Sequence, residues 1–312
     1  MRILVAYDGS RCSEAAIDDL KRAGLPESGE ASIISVAEVW LPPPNGNQDI
    51  HVTDDPYIVS LVQRHREKGE RALTETKTFA AHAETRLRTM IPSWNITSSA
   101  TYGSPAWEIL SMADNFKPDL IVIGSHGQSA ISRFFLGSIS QKVLTEAHCS
   151  VRVARGRIEV DASPIRIVVG FDSSKGAQAA VEAVSARSWP AETAVRLIAV
   201  TDPVKPTAIG RFVPPIASAI DDVNDAEREW LEQLAQPELR KLEAVGLKAS
   251  LHIVSGNPKT VLVEESEHWN ADTIFVGANA FGSRLERFLI GSTSAAVAGR
   301  AHCSVEVVRT QA

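Results

Sequence analysis

The chain has 312 residues, 44% of them hydrophobic and 22% charged, with a mean hydropathy of -0.05; this is enough for two globular domains, each able to bury its own core. A formal net charge of -6 and an isoelectric point near 5.8 argue against nucleic acid or an anionic membrane as partner, since both call for a basic patch. No apolar run reaches the roughly 18 residues of a bilayer span, the opening MRILVAYDGS reads as strand and turn instead of a secretory leader, and three cysteines without a CxxC spacing make no disulfide framework, so a reducing, cytoplasmic setting is expected.

From the N-terminus, residues 3–7 form a short apolar run that reads as a buried parallel strand. Ser10 or Ser13 is placed to cap a helix running through Lys21. Residues 31–36 give a second strand. The loop after it, with Pro42, Pro43, Pro44, Asn45 and Gly46, excludes regular structure. Apolar positions then recur at helical spacing over 57–90, among them Ile58, Leu61, Val62, Leu73, Phe79 and Leu87. A third strand is expected over 96–102, a helix with proline in its first turn over 105–115, a strand over 120–123, a helix over 138–147 and a fifth strand over 150–154.

The order then repeats. MRILVAYDGSRCSEAAI returns as PIRIVVGFDSSKGAQAAV, TYGSPAWEIL as IVSGNPKTVL, PDLIVIGSHG as ADTIFVGANA, and RFFLGSISQKVLTEAHCSVRVAR as RFLIGSTSAAVAGRAHCSVEVVR. The matches are collinear, and their spacing changes only where loops would change length. Two domains follow, 1–157 and 163–312, with a polar seam at 156–163. Strands are expected in the second near 166–171, 195–200, 248–254, 273–276 and 304–308. The proline-rich stretch 203–223 is expected to be a loop, and Pro237 to break or kink the helix that follows. Strands alternating with helices imply an α/β fold with a parallel, doubly wound sheet in each half. Ligands of such sheets sit beyond the carboxyl ends of the strands, where strand order switches.

The segment that carries chemistry follows the fourth strand: Gly124-Ser125-His126-Gly127, nine residues, then Gly137-Ser138. Glycines here let backbone approach a ligand closely. The helix start at Ser138–Ser140 offers unpaired N–H groups and the positive dipole end, a natural phosphate site, with the Ser138 and Ser140 hydroxyls as further donors. The segment is neither a Walker A loop nor GxGxxG. Asp8, just past the first strand, could bind ribose hydroxyls or an adenine edge, or simply cap the next turn.

Taken together, the strand ending in (V/A)xxDxS, the GxP before the third helix, DLIVxGxxG and the following x9-GS(V/I/T)S resemble the universal stress protein family over most of both halves. The resemblance implies two tandem Rossmann-like domains, each a five-stranded parallel sheet with flanking helices, paired through their last strands as an intramolecular pseudo-dimer; a further homodimer is left open. It also implies ATP or another adenine nucleotide as ligand, with Mg2+ as a potential companion. Carried over residue by residue, Ala6, Tyr7, Asp8 and Val36 would line adenine and ribose. Gly124, Ser125 and Gly127 would follow the ribose and α-phosphate, and Gly137, Ser138, Ile139 and Ser140 would hold the phosphates. A second site would use Gly170, Phe171, Asp172, Val200, Gly277, Ala278, Gly282, Gly291, Ser292, Thr293 and Ser294. Its loop departs from the pattern: Ala280 stands where the second glycine belongs and Gly282 comes two positions later.

The matched AHCSV segments invite a metal or redox reading for His148-Cys149 and His302-Cys303. The structural reading is preferred: a histidine suits the negative end of a helix, and a cysteine packs as a small apolar group. His126 and Arg133 could touch phosphate or be surface residues. No nucleophile elbow or metal-ligand set stands out. Three functions remain in view: a non-enzymatic adenine-nucleotide-binding stress or signalling protein, a slow ATP hydrolase, and a nucleotide-free scaffold acting through its dimer surface.

Overall fold

The computed structural model describes residues 1–39, 56–127, 136–155, 164–204, 214–278 and 290–310. The first half runs β1 (Arg2–Ala6), α1 (Arg11–Asp19), β2 (Glu30–Ala37), α2 (Pro56–Met90), β3 (Asn95–Tyr102), α3 (Pro105–Phe116), β4 (Leu120–Gly124), α4 (Ser138–Glu146) and β5 (Ser150–Ala154). The second runs β6 (Arg166–Phe171), α5 (Lys175–Ser185), β7 (Ala194–Thr201), α6 (Pro214–Ala244), β8 (Lys248–Ser255), α7 (Pro258–His268), β9 (Thr273–Gly277), α8 (Ser292–Arg300) and β10 (Ser304–Val308).

The ten strands among the described residues join one sheet in the order β3-β2-β1-β4-β5-β10-β9-β6-β7-β8. Every pairing is parallel except β5 with β10. Parallel strands covered by helices on both faces need apolar side chains on both, and Ile3, Leu4 and Val5 of β1 are all fully buried. In each half the chain steps outward from the first strand, then returns to its other side. That reversal opens a crevice between β1 and β4, and between β6 and β9, at their carboxyl ends.

The turns after β1 and β6 are built alike. Ser10 accepts the Ser13 N–H at 3.2 Å and caps α1; Ser174 accepts the Ala177 N–H at 3.2 Å and caps α5. Asp8 and Asp172 each accept the N–H two residues on, at 3.0 Å. The helix expected to reach Lys21 ends at Asp19 and tightens into a 3₁₀ turn over Leu20–Arg22. Two further expectations need correction. The stretch expected as loop to residue 223 turns helical at Pro214, because prolines are tolerated in a first turn, where their missing N–H has no partner to lose. Pro237 does not end α6: Ala235 and Leu242, on either side of it, are both buried in the same core, and that packing holds the helix through the lost hydrogen bond. The loop at 42–46, the seam 156–163, Arg133, Ala280 and Gly282 lie outside the described residues.

Where β5 meets β10, Val151, Arg152 and Val153 lie opposite Val307, Glu306 and Val305. Arg152 is fully buried. It donates to Asp19 at 2.5 Å, to Glu306 at 3.3 Å and to Thr273 at 2.9 Å, and Arg187 also grips Glu306. The arginines after these strands cross over. Arg155 donates to the Ala298 carbonyl at 2.6 Å, in the last turn of α8, and Arg309 to the Leu144 carbonyl at 2.7 Å, in the last turn of α4. Each supplies a donor to carbonyls that a helix end leaves unpaired.

Candidate functional site

The crevice beside β1 and β4 is a cleft of about 500 Å³. Ala6, Tyr7, Asp8, Val36, Gly124, Gly127, Ile139 and Ser140 line it, so the structure brings together eight of the eleven residues singled out in the first half. Ser125, Gly137 and Ser138 are not among its lining. The Ser125 hydroxyl is buried against His126 Nδ1 at 3.0 Å. Gly137 ties the loop back, its N–H donating to the Ser125 carbonyl at 2.9 Å, and Ser138 opens α4 on the exposed side.

Two assignments change in chemical detail. The Ser140 hydroxyl, expected as a phosphate donor, donates instead to the Gly124 carbonyl at 2.8 Å and fastens α4 to the end of β4. Ser294 does the same to Gly277 at 2.5 Å. What α4 offers the cleft is therefore backbone: its N-cap is Gly137, without a side-chain cap, and the N–H groups of Ser138, Ile139 and Ser140 have no intrahelical partner. The glycines also divide their labour. A Cβ on Gly124 would sit 2.8 Å from the Cys12 carbonyl carbon, so this glycine admits α1. A Cβ on Gly127 would meet the Asp8 carboxylate at 3.0 Å. Gly127 is thus the glycine that keeps the cleft floor open.

His126 lines the cleft but is buried, and burial, then the nearby Arg155, pulls its pKa below the usual histidine value. It is a neutral imidazole at pH 7, not a cationic phosphate ligand. Tyr7 is 4% exposed and bonded to Glu14. Burial raises its pKa, with Asp8 adding to the rise and Arg86 opposing it, so it is a neutral wall. Glu38 and Glu75 join Asp8 in the lining, and among the described lining residues there is no Lys or Arg. The α2 wall of Ala72, Glu75, Thr76 and Phe79 was missed in the sequence. Its only signal was the helical apolar spacing of Ala72 and Phe79, which also describes a core face.

The second crevice is smaller, about 250 Å³. Gly170, Phe171, Asp172, Val200, Gly277, Ala278, Gly291, Ser292, Thr293 and Ser294 all line it. Gly282 lies outside the described residues.

Both AHCSV cysteines lie in the interior. Cys149 and Cys303 are buried, and burial pushes their thiols up to about 11 and about 12. No group of three or more potential metal ligands occurs among the described residues. At pH 8, N-ethylmaleimide should modify half-buried Cys12 first, leaving Cys149 and Cys303 until denaturant is added, because the thiolate is the reactive form. Peptide mass mapping reads the order; early labelling of Cys303 would contradict it.

A doubly wound repeat with ligand-sized crevices at both switch points defines a tandem Rossmann-like protein. The model of the Universal stress protein family matches residues 1–155 and again 165–309, and the chain belongs to that family. A universal stress protein of Thermus aquaticus is 32% identical over 157 residues, covering 49% of this chain and 97% of that protein. The universal stress protein YxiE of Bacillus subtilis is 29% identical over 154 residues, covering 49% and 98%. The crystal structure of a universal stress protein from Archaeoglobus fulgidus aligns with 99% of this chain and 96% of its own, at TM-score 0.58 and 22% identity, and so shares the fold across both halves. No helix among the described residues is long and apolar enough to cross a membrane.

Proposed function

We propose that the first half binds an adenine nucleotide and that the chain is a non-enzymatic stress-response or signalling protein acting from the cytoplasm. The observation that carries this reading is the cleft between β1 and β4, which ends at the start of α4, whose first N–H groups have no intrahelical partner, behind an unbroken GxxGx9GS loop. Asp8 and Val36 border the nucleoside end. The lining carries three carboxylates and no described cationic side chain. The Asp8, Glu38 and Glu75 carboxylates favour a triphosphate that enters as its Mg2+ complex, whereas AMP, with less charge, is held at the helix terminus. The halves, 1–157 and 163–312, pair about a pseudo-two-fold axis at β5 and β10, so the chain supplies its own dimer partner, and occupancy of the cleft biases that geometry through α4.

Calorimetry with AMP, and with ATP with and without Mg2+, tests the reading. Wild-type protein should bind, with ATP losing affinity in EDTA and AMP not. Gly127→Val should weaken binding at least about tenfold, since its side chain meets the Asp8 carboxylate. Gly137→Val is the companion variant. Undiminished binding by both, with unchanged circular dichroism, would sink the site. ATP turnover above about 1 s⁻¹ would favour the hydrolase, and freshly purified protein that carries and binds no nucleotide would favour the scaffold.

A further inference from the structure

The cleft of the first half measures about 500 Å³ and its counterpart in the second about 250 Å³. The two share a frame. Ile34, Val36, Ile109 and Ile123 line the first, and Ile198, Val200, Leu262 and Val276 repeat them in the second. All eight pack in the core beneath α3, α4, α7 and α8.

The extra room of the first cleft lies on the other face of the sheet. Side chains alternate along a strand, so Ser35 faces α2 where Ile34 and Val36 face α3. Ser35, Ala37, Ala72, Glu75, Thr76 and Phe79 bound this second compartment, between the end of β2 and the middle of α2. No described residue of α6, the counterpart of α2, lines the second crevice.

Ser35 has no structural reason to be polar. It is 1% exposed, and its hydroxyl is buried without a hydrogen-bond partner. Such a group costs stability, and a native fold that keeps one calls for an explanation. The fold itself does not require it. Arg2 pairs with Glu30 and Arg166 with Ala194, a register that sets Ala199 at the position of Ser35, and Ala199 is fully buried. Thr76 is buried too; its hydroxyl donates to the Ala72 carbonyl at 2.8 Å and so offers the compartment only lone pairs. Asp8, Glu38 and Glu75 add carboxylates, and Tyr7 and Phe79 add ring surface.

We propose that this compartment binds a small protonated amine, beside the nucleotide and apart from it. An ammonium brings three N–H donors and a positive charge to a wall of hydrogen-bond acceptors. The aromatic faces attract it further, and Ala72 and Phe79 receive a short alkyl body. A carboxylate would be repelled by the lining, and a neutral alcohol would leave its charge unmatched. A bare metal ion fits less well, since no group of three or more potential ligands occurs among the described residues.

Ligand-observed NMR on the full chain, without added nucleotide, tests this with n-butylammonium, n-butanol and butyrate as probes. The ammonium should bind at least about tenfold more tightly than the alcohol, and butyrate should not bind. Glu75→Gln and Ser35→Ala should each weaken the ammonium at least about tenfold, the worth of one hydrogen bond to a charged group. Ser35→Ala should at the same time raise the melting temperature of the free protein, because it removes an unpaired buried hydroxyl. A substitution that stabilises the fold while abolishing binding marks a ligand contact and not a packing role. AMP affinity should be the same in Ser35→Ala and wild type. The amine titration needs no nucleotide, so it stands or falls apart from the nucleotide reading. An ammonium bound no better than the alcohol, undiminished binding by either variant, a Ser35→Ala protein that melts below wild type, or AMP affinity lost with Ser35 would each overturn the proposal.

Discussion

Arg152→Ala is expected to destabilise the chain by about 3–5 kcal/mol, the loss found when one partner of a buried ion pair is removed. Arg152 and Glu306 are both 0% exposed and Asp19 7%. Burial pulls the Arg152 guanidinium down, yet Asp19 and Glu306 together hold its pKa above the usual arginine value, so it is charged at any ordinary pH. Without it, Glu306 keeps Arg187 and Asp19 keeps the Ser304 hydroxyl at 2.6 Å. The carboxylate left worse off is Asp19, which retains no cation among the described residues. Asp19→Asn added to Arg152→Met should therefore recover part of the loss, the signature of coupled neighbours. Urea unfolding measures both. Because Arg152 lies opposite Glu306 on the one antiparallel ladder among the described residues, the single variant should also separate the unfolding of the two halves. A single transition at the wild-type midpoint would refute this account.

This cluster shows what the sequence made legible and what it did not. The strands were readable because parallel strands must be apolar on both faces, and the repeat then supplied the topology twice. Arg152 escaped notice inside SVRVA, yet a signal existed: the aligned repeats read AHCSVRVAR and AHCSVEVVR, with opposite charges at matching positions. Two strands related by a pseudo-two-fold axis bring such positions face to face. Other features had no local signal. Nothing in GSIS says that the Ser140 hydroxyl turns inward to Gly124, because a helix-start serine serves either role equally well. Phe79 on the cleft wall has the same helical spacing as the buried Ala83 and Leu87. Pro237 did not break α6 because its cost is local, while the packing that overrides it comes from tertiary contacts.

Gly277→Ala is expected to cost about 3 kcal/mol, the upper end for overpacking. Its Cβ would lie 2.4 Å from the Gly176 carbonyl carbon and 2.6 Å from the Gly176 Cα, backbone that no rotamer change can move. In the first half the same contact is looser: Gly124 meets Cys12, the repeat partner of Gly176, at 2.8 Å. Gly124→Ala should thus cost less than Gly277→Ala. Gly137→Ala should lie within about 0.5 kcal/mol of wild type, because its Cβ finds only ordinary contacts at 3.5 Å and its φ of -61° suits any residue. Thermal melts order the three, and a Gly277→Ala protein that melts with wild type would show that α5 can yield. The ordering bears on how the glycine motif is read. Gly124 and Gly277 recur in both halves because a helix must cross a strand there, whatever the crevice holds. Gly127, where a Cβ would reach Asp8 and where the second half carries Ala280, is the position whose substitution should report on the proposed ligand.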